Sequence, residues 1–266
     1  MRAIILFAFL KLACGQASKV NFLSQELIEK RLHAYTAKNA TREPAMRTLF
    51  EDAGRRNDSL CEQTVKGTKS PNLICTLKGG TDSTIVVGAH FDLIEKGQGV
   101  VDNWSGSSLL PSFYQGLNES GRKHTFVLIA FTGEEQGLLG SRSFVKQLGP
   151  QRPLVKAMVN LDTLGLGTTQ IWMSHSNRDL AIRLTGLAKQ MKIPVGAVDV
   201  ENVGTTDSEP FREKKIPAIT VHTLTQRTLH VLHSPADTIE AIRLDDYYQC
   251  YKLLISYLVA LDDLIN

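Results

Sequence analysis

Two adjacent carboxylates, Glu134 and Glu135, stand just beyond the apolar run 124–131. The run reads as a buried strand, and Gly133 and Gly137 punctuate its end. Like charges side by side repel, so a fold that encloses such a pair has to compensate it. A metal ion is the commonest compensation: one carboxylate binds it, and the other takes a proton from metal-bound water. The bland alternative is a solvated acidic turn. The same arrangement recurs twice. His90 follows Val86-Val87-Gly88-Ala89, and Asp162 follows Met158-Val159-Asn160-Leu161. Three apolar runs that each end on a metal-type side chain constrain the fold more than any one motif does.

Helical patterns lie between those runs. Residues 22–60 read as helical, with Ser24-Gln25-Glu26-Leu27 as an N-terminal cap and Pro44 in the first turn of a second helix. Strands are predicted over 73–77, 84–89, 126–131, 157–161, 170–173 and 216–221. Helices are predicted over 105–117, 138–148, 177–191 and 244–264, with a short one near Pro210. Ile85-Val86-Val87 is β-branched throughout, the type of strand buried on both faces. Strands alternating with helices imply an α/β layered sheet with helices on both faces, in which sites gather at the carboxyl ends of strands.

At 266 residues and 42% hydrophobic, the chain can build one large core. No Pro/Ser-rich linker or repeat marks a boundary, so residues 18–266 are expected to form a single catalytic domain. The net charge of +3 is small and its basic residues are scattered, which argues against a nucleic-acid partner. Arg2, the apolar stretch 3–10 and the small residues Ala13, Gly15 and Ala17 have the layout of a secretory signal peptide, expected over 1–17. The stretch is too short for a membrane span, and Lys11 interrupts it. An apolar N-terminal helix packed on the domain is the alternative. Export, to a secreted or periplasmic location, would remove Cys14 and leave Cys61, Cys75 and Cys250. Cys61 and Cys75 flank the turn-like stretch 66–71. They are either a hairpin disulfide or small buried thiols. Sequons begin at Asn39, Asn57 and Asn118, and at Asn103, which is expected to be buried beside the site.

Each candidate ligand also has an ordinary structural role. His90 could be a structural histidine. Asp92 either orients the His90 imidazole or caps a turn. Asp102 either caps a helix or bridges two metals. Asp162 either ends a turn or binds metal. His233 is presented by a loop fixed by Pro235 and Asp237, while His230 reads as a surface or supporting group. His222 is a weaker alternative ligand. Together His90, Asp102, Glu135, Asp162 and His233 form a nitrogen and oxygen set that suits zinc without thiolates. Five ligands are too many for one open catalytic zinc and fit two zincs sharing a carboxylate.

The chain resembles the secreted two-zinc aminopeptidases, the clan that also includes the glutaminyl cyclases. The match runs through Ala89-His90-Phe91-Asp92, Val101-Asp102-Asn103-Trp104-Ser105-Gly106, the stretch from Thr132 to Ser141, Asn160-Leu161-Asp162, Thr206-Asp207-Ser208-Glu209-Pro210-Phe211 and His233-Ser234-Pro235-Ala236-Asp237-Thr238. The resemblance implies a mixed, mostly parallel sheet of about eight strands between helices. It implies His90 and Asp162 on one zinc, Glu135 and His233 on the other, and Asp102 bridging them. It makes Glu134 the general base and Asp92 the residue that orients His90. The implied activity is hydrolysis of N-terminal residues from peptides by a metal-bridged hydroxide. Ser208 departs from relatives that carry a bulkier polar residue at its position. A glutaminyl cyclase with one zinc is the alternative, supported by the helical N-terminal portion and by Glu62-Gln63-Thr64 with Asn72-Leu73-Ile74. A carboxypeptidase would need a cation near His233, for which Arg227 is the only candidate. A non-catalytic binding module would lack the base or several ligands.

Overall fold

The β-branched run Ile85-Val86-Val87 lies in the middle of the sheet. It belongs to β3 (Thr84–His90), which pairs in parallel with β4 (Thr125–Phe131) and β5 (Val155–Leu161). The computed structural model describes residues 20–54, 59–118, 121–200 and 204–265. The expected leader, Cys14 and the sequon at Asn57 lie outside them. The remaining strands are β1 (Leu60–Gln63), β2 (Asn72–Leu77), β6 (Thr169–Ile171), β7 (Val195–Ala197) and β8 (Ala218–His222), and the sheet order is β1-β2-β4-β3-β5-β8-β6-β7. β5 and β8 are parallel, as are β6 and β7. β1 and β2, β2 and β4, and β6 and β8 pair antiparallel. The result is the mixed, mostly parallel eight-stranded sheet.

Alternation along the strands divides the core in two. Ile85, Val87 and Ala89, with Phe126, Leu128, Ala157 and Val159, face one side. There they meet α1 (Gln25–Leu32), α2 (Asn39–Asp52), α4 (Leu109–Asn118), α6 (Arg178–Met191) and α8 (Leu244–Leu264). Val86, Ile129, Phe131 and Met158 face the other, under α5 (Leu139–Leu148) and α7 (Glu209–Glu213). Side chains of period two on strands buried from both sides give this split directly.

Several expectations shift. The expected helical stretch 22–60 ends early, at Asp52, and Leu60 instead opens an edge strand over 60–63 that pairs with β2. β7 is three residues long with a central glycine, too short to leave a periodic signal. α2 begins at Asn39, which places Pro44 a turn inside the helix. Cys61 and Cys75 do lie on paired strands, but Cys61 is opposite Ile74, one register step away. Adjacent register positions point to opposite faces. Cys61 is therefore exposed, Cys75 is buried, and the two do not form a disulfide. Asn103 is buried as expected, and the Asn39 side chain is engaged with the Leu93 backbone. Among the described residues no helix is long and apolar enough to cross a membrane.

Candidate metal centre

The carboxyl ends of β3, β4 and β5 deliver their side chains to one place. His90 is the last residue of β3, Asp162 follows β5 immediately, and Glu134 and Glu135 sit in the turn after β4. Gly133, at φ +67°, makes that turn in a conformation glycine adopts freely. Asp92 caps it: its Oδ1 and Oδ2 accept the backbone N–H groups of Glu134 and Glu135, both at 3.2 Å. The same carboxylate lies 3.6 Å from His90 Nδ1. The hydrogen-bond contact of His90 Nδ1 is to the Asp92 backbone carbonyl, at 3.2 Å, so the capping carboxylate and the imidazole are held side by side.

Asp102 lies in an irregular turn at Val100–Trp104, not at a helix start. The amide that ties the following turn is Asn103, whose Oδ1 accepts from Gly106 N–H at 3.0 Å and from Thr163 N–H at 3.2 Å. Relieved of capping, the Asp102 carboxylate is split between two histidines, with His90 Nε2 3.2 Å from Oδ1 and His233 Nε2 3.1 Å from Oδ2. His233 Nε2 is also 3.2 Å from Glu135 Oε2. His90 Nε2 stands 3.9 Å from Asp162 Oδ1 and 4.0 Å from Glu134 Oε2. All seven candidate site residues therefore come together, around a carboxylate shared by two imidazoles. His230 is exposed and points elsewhere. His222 is not available as a ligand, because its Nε2 donates to Val198 O at 2.9 Å and its Nδ1 accepts from Leu224 N–H.

Distances bear on whether a metal fits. Charge-assisted N–H···O bonds usually measure about 2.7–2.9 Å, whereas two donors on a tetrahedral zinc at about 2.0–2.1 Å stand roughly 3.3 Å apart. The three closest imidazole–carboxylate pairs of the cluster, at 3.1–3.2 Å, lie between the two spacings, as does the His124–Asp262 pair elsewhere in the fold at 3.1 Å, so the donor set weighs more than the distances. Glu135 Oε1 is buried without a hydrogen-bond partner. Crowded negative charge tells the same story. Burial, with the charges of Asp207, Asp162 and Asp102 added, pushes the Glu134 carboxyl well above the usual range despite His90. Burial raises Asp162 to about 6. Burial lowers the His90 imidazole, but Glu134, Asp102 and Asp92 outweigh it and hold His90 well above its usual value. Hydrogen bonds to Asp102 and Glu135 raise His233 to about 10. Without a cation the cluster retains protons; divalent cations would replace them. The donors are nitrogen and oxygen only, the set that suits zinc.

The sequence marked Asp237 as fixing the His233 loop, and Thr206 and Asp207 only as part of a family motif; which groups they support is seen in the fold. Asp237 accepts the N–H groups of Val101 at 2.7 Å and Asp102 at 3.2 Å, which fastens the Asp102 turn to the loop of His233. Thr206 donates to Asp162 Oδ2 at 2.7 Å and accepts from Asn160 Nδ2 at 2.6 Å. Asp207 is enclosed behind Glu134, and burial raises it to about 7. Contacts between side chains remote in sequence leave no local pattern to read. Of the five non-glycine residues with positive φ among the described residues, Leu138, Thr163 and His233 line the cavity beside the cluster, as expected of strain held at a functional site. The cavity holds about 190 Å³ and combines the acidic cluster with Leu138, Trp172, Leu224 and Leu232. No Lys or Arg lines it.

His222 sits in the wall of this cavity and yields a stability prediction. Burial lowers its pKa from 6.5 to about 4. The unfolded chain binds the proton first as pH falls, so the stabilising effect is complete above about 6.5 and is lost as pH drops towards 4. A gap of this size is worth about 3 kcal/mol. Urea unfolding of chelator-treated protein at pH 7 and pH 4.5 is expected to show this loss in wild type and a smaller one in His222→Asn. Equal losses in both would remove His222 as its cause.

Residues 72–258 match the model of peptidase family M28. The chain belongs to this family. A probable leucine aminopeptidase of Trichophyton verrucosum is 27% identical to this M28 chain over 211 residues, which cover 71% of the chain and 57% of the relative. The chain spans about half the length of curated relatives that it matches. Among solved structures, an aminopeptidase of Legionella pneumophila superposes with a TM-score of 0.80 at 23% identity, over 91% of this chain and 73% of that one. A glutaminyl cyclase of an Acidobacteriales bacterium superposes with a TM-score of 0.73 at 18% identity, over 94% and 98%. These likenesses bear out the M28 fold.

Proposed function

We propose that the chain is a zinc aminopeptidase that removes N-terminal residues from peptides. The observation that carries this reading is the gathering of His90, Asp102, Glu134, Glu135, Asp162 and His233 in one cavity, with no Lys or Arg among its described lining residues. A free C-terminal carboxylate is ordinarily gripped by an Arg or Lys, and the lack of either in the lining favours the amino end of a peptide over the carboxyl end. Arg227, the cation a carboxypeptidase would need, is exposed and absent from the lining.

His90, Asp162 and Asp102 would hold one zinc, and His233, Glu135 and Asp102 the other. Zinc held there would activate a water and polarise the scissile carbonyl. Glu134 stands on the rim of the cluster as general base, taking a proton from the attacking water and passing it to the leaving amine. Asp92 fixes the Glu134 backbone and the His90 ring together, so base and ligand keep one spacing. Leu138, Trp172, Leu224 and Leu232 form the apolar part of the cavity, suited to the first side chain of the substrate. A leader over 1–17, export, and a single catalytic domain over 18–266 complete the proposal.

The test is mass spectrometry on zinc-loaded protein with short peptides of varied N-termini, Gln included. Stepwise loss of N-terminal residues is expected. Loss of ammonia from the Gln peptide alone would establish the glutaminyl cyclase reading instead. That reading is kept because the chain spans nearly the whole of a cyclase structure. Release from the C-terminus would overturn both.

A further inference from the structure

Arg42 lies on α2, outside the residues matched by the family model, and is fully buried. All four of its hydrogen bonds go to backbone carbonyls rather than to carboxylates. Nε donates to Thr36 O at 2.8 Å, Nη1 to Phe91 O at 2.9 Å, and Nη2 to Gln98 O at 2.8 Å and Gly99 O at 2.7 Å. Its guanidinium carbon lies 5.4 Å from the centre of the Trp104 ring. A buried cation without an adjoining carboxylate is costly unless it serves an arrangement nearby. The arrangement here is the loop between His90 and Asp102. Phe91 begins that loop and Gln98 and Gly99 end it, so one rigid fork spans both ends.

The fork also reaches the third ligand-bearing loop. Gln98 N–H donates to Asp237 O at 2.7 Å, and Gln98 Oε1 accepts from Ile239 N–H at 3.1 Å. Asp237 in turn holds the backbone of Val101 and Asp102. Gly99 makes room for the guanidinium: at φ +61°, an added Cβ would stand 2.7 Å from Nη2. Asn39, one turn earlier on α2, clasps the same loop by exchanging hydrogen bonds with Leu93, at 2.9 Å to its carbonyl and 3.0 Å from its N–H.

We infer that Arg42 is a positioning residue of the metal centre: by gripping the carbonyls of Phe91, Gln98 and Gly99 it sets where His90 and Asp92 stand relative to Asp102 and His233. The N-terminal helices are thus part of the site's framework and more than a cover for the sheet. The inference rests on the metal-centre reading above, and it concerns zinc affinity, whatever the substrate.

Arg42→Lys tests it. An ammonium keeps the charge but is a single point on a flexible stem and cannot span carbonyls that a planar fork spans. Stepwise zinc removal by a graded chelator, followed by native mass spectrometry, is expected to show at least one ion held about 10–100-fold more weakly than in wild type. Gly99→Ala, which crowds the guanidinium while retaining it, is expected to weaken zinc in the same direction. Met46→Ala is the control, since Met46 is buried one turn further along the same helix and makes none of the hydrogen bonds that grip the loop. It should lower the melting temperature and leave zinc affinity unchanged. Wild-type affinity for both ions in Arg42→Lys would overturn the inference, as would an equal weakening in Met46→Ala. A wild-type chain that binds no zinc would overturn the metal-centre reading and this inference with it.

Discussion

Replacing Glu134 with glutamine is expected to lower peptide hydrolysis by about a thousandfold, within the 10²–10⁴ range of general acid–base catalysis, while zinc is retained. The expectation comes from the division of labour in the turn after β4. Glu135 Oε2 is in contact with His233, whereas Glu134 Oε2 keeps 4.0 Å from the nearest imidazole nitrogen. Asp92 holds both backbone N–H groups, so the amide side chain would occupy the same place. Glutamine fits the space but cannot take a proton. Glu135→Gln should behave differently, losing zinc before it loses chemistry. Turnover of an aminoacyl anilide, measured beside zinc stoichiometry for each variant, separates the two. Activity of Glu134→Gln within tenfold of wild type would remove Glu134 as the base.

Asp102→Asn should have the largest structural effect. Its two carboxylate oxygens meet the two histidines, at 3.2 Å and 3.1 Å. The amide has one oxygen and one NH₂ donor, so at least one imidazole loses its acceptor. Removing one member of a buried charged group costs about 3–5 kcal/mol, since its partners stay buried and unpaired. Zinc-free Asp102→Asn should therefore unfold at lower urea than zinc-free wild type and should not bind two zincs. The pH dependence follows the same logic. His233 is raised to about 10 mainly by its hydrogen bond to Asp102. Its stabilising effect in the metal-free chain is complete below about 6.5 and fades as pH rises through 10. Asp102→Asn should flatten that basic limb. Unfolding curves at pH 7 and pH 10 that decline as steeply as in wild type would contradict the pairing.

What could be read in advance follows from how each side chain reaches the site. His90, Glu134 and Asp162 each end a long apolar run, so period and position both mark them. Asp102 and His233 lie on irregular loops and were legible through motif resemblance rather than through periodicity. Arg42 gave no signal, because an arginine in Thr41-Arg42-Glu43 on a helix reads as solvated surface. Asp237, Thr206 and Asp207 support the ligands from loops far away in sequence, where only the folded chain brings them close. The edges of the sheet were the least legible part of the fold. β1 carries Glu62 and Gln63, and β7 is centred on Gly196, so neither has the apolar content that marked the central strands.

The order of the strands has a bearing on synthesis. β8 lies between β5 and β6, although both precede it in the chain. A ribosome making this protein completes β5 about 60 residues before it completes β8, an interval of roughly 3–12 s at ordinary elongation rates. Throughout that interval one flank of β5 has unpaired backbone groups and β6 has no neighbour to its inner side. Exposed strand flanks recruit other chains. The nascent protein is therefore most vulnerable to aggregation late in translation, with most of its core already made. His233 is made later still, so the full set of ligands exists only after the last strand of the sheet has been synthesised.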